Sequence, residues 1–429
     1  MPPIDSVTAQ SDRLSSNEST LNDAIERGDR GSVKLLIAAG ANVTRKNGIA
    51  PLSLACTMGE REAVELLIAA SASVDLPHDS SPIASAAMYG HADCIHALLG
   101  AGAGRCVELS SALCDAVYAG HVDCVRLLLS ANASMSTPSG ATALHVAARE
   151  GDDECLALLL DFLDDRLVAT ERLPMRVGRD AATAAASDGE RALIDAAAAD
   201  GATPLSVACE HGHAGCVRQL LDCGACVDKP DCQGATPLLI AAQEGHLDCL
   251  QLLLDAGAAI DEVDIEGFSA MLAACTNGCG ACVELLSAHG ASRGARVGEA
   301  VHAPSAAERC AQVNDHDGLR RWLQATRGWT PLHHLEHLSP CRLKLLLRDG
   351  ADIHARPAVG APSPLERARR MRDTPVAEML LLAGAPWSPA SALSCRCRLR
   401  AVCVAMGDAI CTTHPRLGRS HNFLLAKKL

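Results

Sequence analysis

The run HHLEH at 333–337 has the residue types and spacing of a zinc site. His333, Glu336 and His337 match the pattern H-x-x-E-H, in which two histidines on one helical face bind zinc and the glutamate polarises water. Ser339-Pro340 follows at once and interrupts such a helix. The run also stands where a Thr-Pro-Leu-His phrase recurs along the chain. We therefore favour a structural role for these residues and expect no metal there.

Two cysteine pairs each have half the spacing of a zinc site. Cys223-x-x-Cys226 and Cys279-x-x-Cys282 must converge to bind a metal, yet they occupy different places in the recurring pattern. Cys282 aligns with other cysteines at a position that favours a small apolar side chain, so we expect buried, free thiols. The GAGAG run at 100–104 resembles a phosphate loop but is followed by no suitably spaced lysine. The sequence thus predicts no cofactor, no metal and no catalytic residue.

The elements that position these residues repeat with a period of about 31–33 residues. A Thr-Pro pair, as in Thr203-Pro204, supplies a capping hydroxyl and a proline suited to the first helical turn. A glycine about ten residues later ends that helix, and a second helix with an apolar stripe follows. An extended segment then leads to the next unit. The turn glycines are Gly28, Gly59, Gly90, Gly120, Gly151, Gly212, Gly245 and Gly278.

The pattern G-x-TPLHxAA-x-x-GHx-x-CVxLLLxxGA closely resembles the ankyrin repeat, over most of residues 19–388. The resemblance implies an all-α solenoid of stacked helix-turn-helix units joined by β-hairpin fingers. It also implies that the fingers and first helices line a concave protein-binding surface. One histidine recurs at the same place in the repeat, where we expect it to bond backbone groups of neighbouring turns: His91, His121, His213 and His246.

Two gaps in the pattern divide the predicted organisation. From the turn glycine to the next threonine there are 14 residues (Gly189 to Thr203) or 12 (Gly318 to Thr330), against 24 from Gly212 to Thr236. We expect each gap to be a helix pair that lacks its finger. The predicted segments are a disordered tail at 1–18, five repeats at 19–165, a loop and finger-less repeat at 166–200, three repeats at 201–294, a loop and finger-less repeat at 295–326, two repeats at 327–388, and a basic tail at 389–429.

Composition excludes several function classes. Aromatic residues are 2% of the chain while hydrophobic residues are 48%, so the core must be Ala, Leu, Val and Cys, and a base-stacking surface is not expected. Residues 1–292 carry 17 Lys and Arg against 40 Asp and Glu, whereas 293–429 carry 21 against 11. The acidic part repels nucleic acid. With no membrane span and no signal peptide expected, we predict an intracellular protein, cytoplasmic or nuclear.

The segment from Trp387 is not explained by the repeat. Ser394-Cys395-Arg396 with Leu399-Arg400 is similar to the start of a suppressor-of-cytokine-signalling box, and Pro415 with Phe423-Leu424-Leu425 is similar to its end. That resemblance implies recruitment of elongin B and C and a cullin, as in substrate receptors of ubiquitin ligases. Zinc binding by the cysteines of this segment and a capping helix with a disordered end are the alternatives, and we favour the cap.

The sequence therefore predicts a non-catalytic scaffold or adaptor that binds another protein. The acidic bias of the central fingers favours a partner with a basic patch, and the same charges also serve solubility. The candidate partner-binding residues are Arg45, Lys46, Lys229, Asp231, Glu262, Asp264 and Glu266.

Overall fold

The computed structural model describes residues 21–44, 50–75, 81–103, 106–137, 140–171, 193–294, 305–357, 361–371 and 375–384. The predicted tails at 1–18 and 389–429 lie outside these ranges. The chain divides into two compact units. Unit 1 comprises Met1–Leu286 with Ala291–Gln324, and unit 2 comprises Ser287–Gly290 with Ala325–Leu429.

Unit 1 consists of helix pairs, which we number as repeats 1 to 9. Its helices, in pairs, are α1 (21–26) and α2 (Arg30–Ala38), α3 (Pro51–Met58) and α4 (Arg61–Ala69), α5 (Pro82–Met88) and α6 (Ala92–Gly100), α7 (Cys106–Tyr118) and α8 (Val122–Ser130), α9 (Ala143–Glu150) and α10 (Asp153–Glu171), α11 (Pro204–His211) and α12 (Ala214–Asp222), α13 (Pro237–Glu244) and α14 (Leu247–Asp255), α15 (Ala270–Thr276) and α16 (Gly280–Ala288), and α17 (Ala306–Val313) and α18 (Asp317–Ala325).

Unit 2 contains repeats 10 and 11. Repeat 10 starts with a 3-10 turn, Pro331–His333, and continues with α19 (Pro340–Arg348). Repeat 11 consists of α20 (Pro364–Arg370) and α21 (Pro375–Ala383). None of the helices in the described ranges is long and apolar enough to cross a membrane.

The first helices begin and end for the reasons that the sequence suggests. Thr203 Oγ1 accepts the N–H of Ser206 at 3.1 Å, and Pro204 occupies the first turn, where no N–H is needed. The helix ends at Gly212, whose φ of 78° is left-handed and favours glycine. A side chain at Gly212 would also collide with the ring of His246, which lies 2.5 Å from the ideal Cβ position.

Neighbouring repeats of unit 1 pack helix on helix. From α3 to α17, the first helices of successive repeats pack against one another, and from α2 to α14 the second helices do the same. The interior contains many small side chains, such as Ala208, Cys209 and Cys216, which are fully buried in the same core cluster as Leu220. The predicted fold class, an all-α solenoid of stacked helix pairs, is confirmed.

The recurring histidine links one repeat to the next. His91 Nε2 bonds the carbonyl oxygen of Thr57 at 3.1 Å. His213 and His246 make the equivalent bonds to Arg149 and Glu210, and the ring of His121 covers Gly90. The predicted role of this position as a backbone link is therefore confirmed for His91, His213 and His246.

The two gaps in the sequence pattern have different structures. At the first, α9 packs directly against α11, and α10 against α12, as neighbouring repeats do. Residues 195–202 form a finger of repeat 6, in which Ala198 N–H donates to Ala202 O, so this repeat does not lack its finger. Residues 172–192 lie outside the described ranges. At the second gap, α17 and α18 follow one another along the chain, and α17 packs against α15. The other predicted domain boundaries stay predictions.

Candidate protein-interaction surface

Asp231 and Asp264 organise the turns of two adjacent fingers. Asp231 Oδ1 accepts the backbone N–H groups of Gln233 at 2.8 Å and Ala235 at 2.9 Å, and Asp264 makes the equivalent pair of bonds in the next finger. A carboxylate that accepts two backbone N–H groups is held in its turn. These two predicted partner residues therefore have a structural role that the sequence analysis did not anticipate.

A second set of aspartates joins each finger to the repeat that follows. Asp195 Oδ1 accepts the N–H of Cys226, 31 residues further along the chain, at 2.8 Å, and two further bonds of the same span recur in the following repeats. The fingers are also bonded side by side, because Ile265 N–H donates to Gln233 O at 3.0 Å. The recurring bonds are Asp228 Oδ1 to Ala259 N and Asp261 Oδ1 to Ser292 N. The central fingers thus form one hydrogen-bonded row.

The remaining predicted partner residues divide into three groups. Lys229 Nζ donates to Asp195 O at 2.6 Å, so its ammonium group is engaged within the row of fingers. Glu262 and Glu266 are exposed, and within the described ranges no ion pair involves either carboxylate. Arg45 and Lys46 lie outside the described residues. A binding role for all seven positions stays a prediction.

The finger that carries Glu262 and Glu266 also exposes apolar side chains. Val263 is 53% exposed and Ile265 is 73% exposed. Neither residue is among the predicted partner-binding residues. The run Val-Asp-Ile in a turn of acidic residues was a signal, because β-branched side chains in such a turn have no core to face. The finger therefore offers apolar contact area between two free carboxylates.

A second surface lies where the first helices end. We call Met58, Tyr89 and Tyr118 the apolar rim, since each precedes the turn glycine of repeat 2, 3 or 4 by one or two residues. They are 45%, 57% and 58% exposed. The same position in repeats 5 to 7 carries Glu150, Glu210 and Glu244, all exposed, which we call the acidic rim. The first helices pack in this order, so the acidic rim follows the apolar rim.

The buried cysteines of unit 1 are free thiols that favour their protonated form. Burial raises the pKa of Cys94 and Cys124 to about 11, and that of Cys216 to about 12. Burial also raises the pKa of Cys279, one member of the second CxxC pair. A protonated thiol is a poor nucleophile and metal ligand. Across the described ranges, no group of three His, Cys, Asp or Glu residues is placed to hold a metal ion.

The HHLEH run does not form the helix that the zinc pattern requires. His333 is fully buried and its Nδ1 accepts the N–H of Thr330 at 3.0 Å. Glu336 faces away and pairs with Arg367 at 2.9 Å. His334 Nε2 lies 3.1 Å from Ser287 Oγ. The side chains of the run thus have separate partners within unit 2.

Comparison with known proteins agrees with this geometry. A family model described as ankyrin repeats (3 copies) matches residues 21–108, 86–170, 166–264 and 226–297, which together span more than half of the chain. A solved structure, the human ASB11 ankyrin repeat domain, is 28% identical over 52% of this chain and 90% of that chain, with a TM-score of 0.41. No curated protein matches the chain.

Proposed function

The chain belongs to the ankyrin-repeat family, and from that premise we propose that it is a non-catalytic scaffold or adaptor whose central fingers bind a partner protein with a basic patch. Ankyrin repeats generally bind proteins. The finer assignment, to a basic partner and to these fingers, is argued from the charges of repeats 6 to 8.

The observation that supports a basic partner is the charge balance of residues 219–292. This stretch contains eleven Asp and Glu residues and a single cation, Lys229. The ammonium group of Lys229 donates to a finger carbonyl, so the lysine does not project freely into solvent. A surface of one sign raises the rate of encounter with a partner of the opposite sign and disfavours partners of the same sign.

The carboxylates available to a partner are those that the fold does not use. Asp195, Asp228 and Asp231 accept backbone N–H groups of the fingers, and their loss would alter the fold. Glu262 and Glu266 are exposed on the finger that carries Ile265. We therefore assign recognition to these two glutamates. The buried free thiols favour an intracellular, reducing setting for the complex.

The test compares two charge reversals of equal size in the full chain. E262K/E266K changes the finger, whereas D222K/D255K changes the exposed last residues of α12 and α14 on the second helices. Affinity purification from cell lysate with quantitative mass spectrometry should show partners that are lost from E262K/E266K and retained by wild type and D222K/D255K.

Two results would contradict the proposal. Retention of every partner by E262K/E266K excludes recognition by these glutamates. Equal loss from both variants shows that net charge, and not the finger, governs the association. Circular dichroism of both variants checks that the helices remain.

A further inference from the structure

The chain has two tyrosines, and both lie on the apolar rim. Tyr89 and Tyr118 stand more than half exposed at the ends of the first helices of successive repeats. Among the residues that the structure describes, neither belongs to the hydrophobic core of unit 1 or to the partly buried side chains packed against it. Within the described ranges, neither phenol oxygen has a hydrogen-bond partner. The fold of unit 1 therefore gives no reason for a tyrosine at either position.

Exposed tyrosines at adjacent positions are suited to binding a protein. A tyrosine offers a large contact area with few rotatable bonds, so little conformational entropy is lost when a partner covers it. Tyrosine is accordingly enriched among the residues that dominate interface energies. Met58, one repeat earlier, extends the same patch with a flexible side chain that adapts to different shapes.

Charge distinguishes the two ends of this row of helices. In repeat 5 this position has two exposed residues of opposite charge, Arg149 and Glu150, so their charges balance. Glu210 and Glu244 then continue the row with negative charge. The fingers of repeats 7 and 8, which precede the first helices, are acidic as well. The row therefore changes from apolar and uncharged to acidic within unit 1.

We propose that the apolar rim is the anchor site for a large apolar side chain of the protein partner, whose basic residues lie against the acidic rim and fingers. This inference rests on the proposed function. It adds to the proposed function a second contact, at the apolar rim. It also adds the order of the two contacts along the repeats and the distance between the apolar and basic residues of the partner.

The spacing follows from helix packing. Packed helices lie about 8–10 Å apart, so the two steps from Tyr118 to Glu210 span about 16–20 Å and the three steps to Glu244 about 24–30 Å. An extended chain covers about 3.3–3.6 Å per residue. The partner segment should therefore separate its apolar residue from its Lys or Arg cluster by about 5–9 residues.

The first experiment selects peptides from a random 16-residue phage library against the immobilised full chain. We expect enriched peptides to combine a Leu, Phe, Trp or Met with a Lys or Arg cluster at that separation. Peptides selected for binding to the Y89A/Y118A variant should retain the basic cluster and lose the apolar residue. The L35A/V313A variant lacks two exposed apolar side chains outside the apolar rim. Peptides selected for binding to it should have the same pattern as those selected on the wild-type chain.

The second experiment observes the site directly. Because the chain has two tyrosines, 3-fluorotyrosine labelling gives two fluorine resonances, and both report on the apolar rim. An enriched peptide should shift both signals. Its affinity should fall at least about tenfold in Y89A/Y118A, while Y89F/Y118F, which keeps both rings, should bind within about threefold of wild type.

The outcomes separate this inference from the proposed function. Peptides that need Glu262 and Glu266 but shift neither fluorine signal overturn the anchor site and leave the proposed function intact. Peptides without basic residues, or with no dependence on either glutamate, contradict the proposed function. The anchor site is also contradicted if the enriched peptides lack the apolar residue, or if that residue stands at no fixed separation from the basic cluster.

Discussion

Thr142 in unit 1 and Thr330 in unit 2 begin the same local structure but lead to different elements. Each donates its backbone N–H to Nδ1 of the histidine three residues later, at 3.1 and 3.0 Å. After Thr142, α9 runs for eight residues to the left-handed Gly151. After Thr330, the turn ends at His333 after three residues. A capping box thus fixes the first turn of a helix but not its length.

The residues that follow the cap explain the difference. The histidine of α9 precedes Val-Ala-Ala-Arg-Glu, in which Ala, Arg and Glu favour helix. His333 precedes a segment that must reach Ser339, the cap of α19. Ser339 is extended because a residue that precedes a proline, here Pro340, disfavours the helical backbone conformation. Trp329 also packs edge-on against His334, at 5.0 Å between ring centroids, and Arg367 covers Trp329. Unit 2 therefore builds this repeat around an aromatic contact.

The largest expected effect comes from the buried leucine that follows each cap. Leu144 and Leu332 are both fully buried, and L144A should lower the free energy of unfolding by about 3–5 kcal/mol. α9 is packed between the first helices of both neighbouring repeats, so the cavity cannot collapse. We expect L332A to cost less, about 2–3 kcal/mol, because the surrounding turn can adjust.

Local hydrogen exchange of the flanking amides, together with urea denaturation, measures both leucine effects. L35A, at an exposed leucine of α2, serves as the control and should change stability by less than about 0.5 kcal/mol. Equal costs for L144A and L332A would show that the short turn is as rigid as the helix.

The cap hydroxyls should give an intermediate effect. T142A leaves the start of an eight-residue helix without its side-chain acceptor and should cost about 1–2 kcal/mol, whereas T330A should cost about 0.5 kcal/mol. T142S keeps the hydroxyl and should restore most of the stability. The same denaturation assay measures all three variants, and a larger cost for T330A than for T142A would reverse the comparison.

Acidification tests the two histidines together. Burial lowers the pKa of both His145 and His333. His145 must be neutral, since Nδ1 accepts the N–H of Thr142 while Nε2 bonds Ala202 O at 3.0 Å. A pKa that is lower in the folded state than the unfolded value of about 6.5 means that stability is full above that pH. Stability is lost as the pH falls below it.

Denaturation at pH 7.5 and 5.5 measures this loss, which is at most about 1.4 kcal/mol per pH unit for each histidine. H145N does not titrate and should flatten the dependence. Asp29 and Glu366 do not interfere, because their hydrogen bonds hold each pKa below its ordinary value. An unchanged pH dependence in H145N would assign the effect to other groups.

Sequence reasoning reaches those features that local chemistry determines. The caps at Thr203 and Thr236 and the backbone link made by His213 follow from residue type and period. Residue spacing does not tell which helices pack together, so the first gap, where α9 meets α11, was not anticipated. The sequence also gave no means to separate Asp264, which holds its turn, from the exposed Glu262.

The smallest effect is expected at the residue after each cap, which is Ala143 in repeat 5 and Pro331 in repeat 10. Replacing proline by alanine frees the unfolded chain, so P331A should cost about 0.4–1 kcal/mol. The substitution A143P restricts the unfolded chain, which favours folding, but it removes the hydrogen bond from Ala143 N–H to Met135 O, at 2.9 Å.

That bond contributes about 0.5–1.5 kcal/mol, so the two effects in A143P should nearly cancel. Thr142 is extended, with φ −110° and ψ 164°, as a residue before proline must be. Thermal and urea denaturation of A143P, beside P331A, measures the difference. A loss above about 2 kcal/mol in A143P would mean that the finger bond to Met135, and not the cap at Thr142, sets the start of α9.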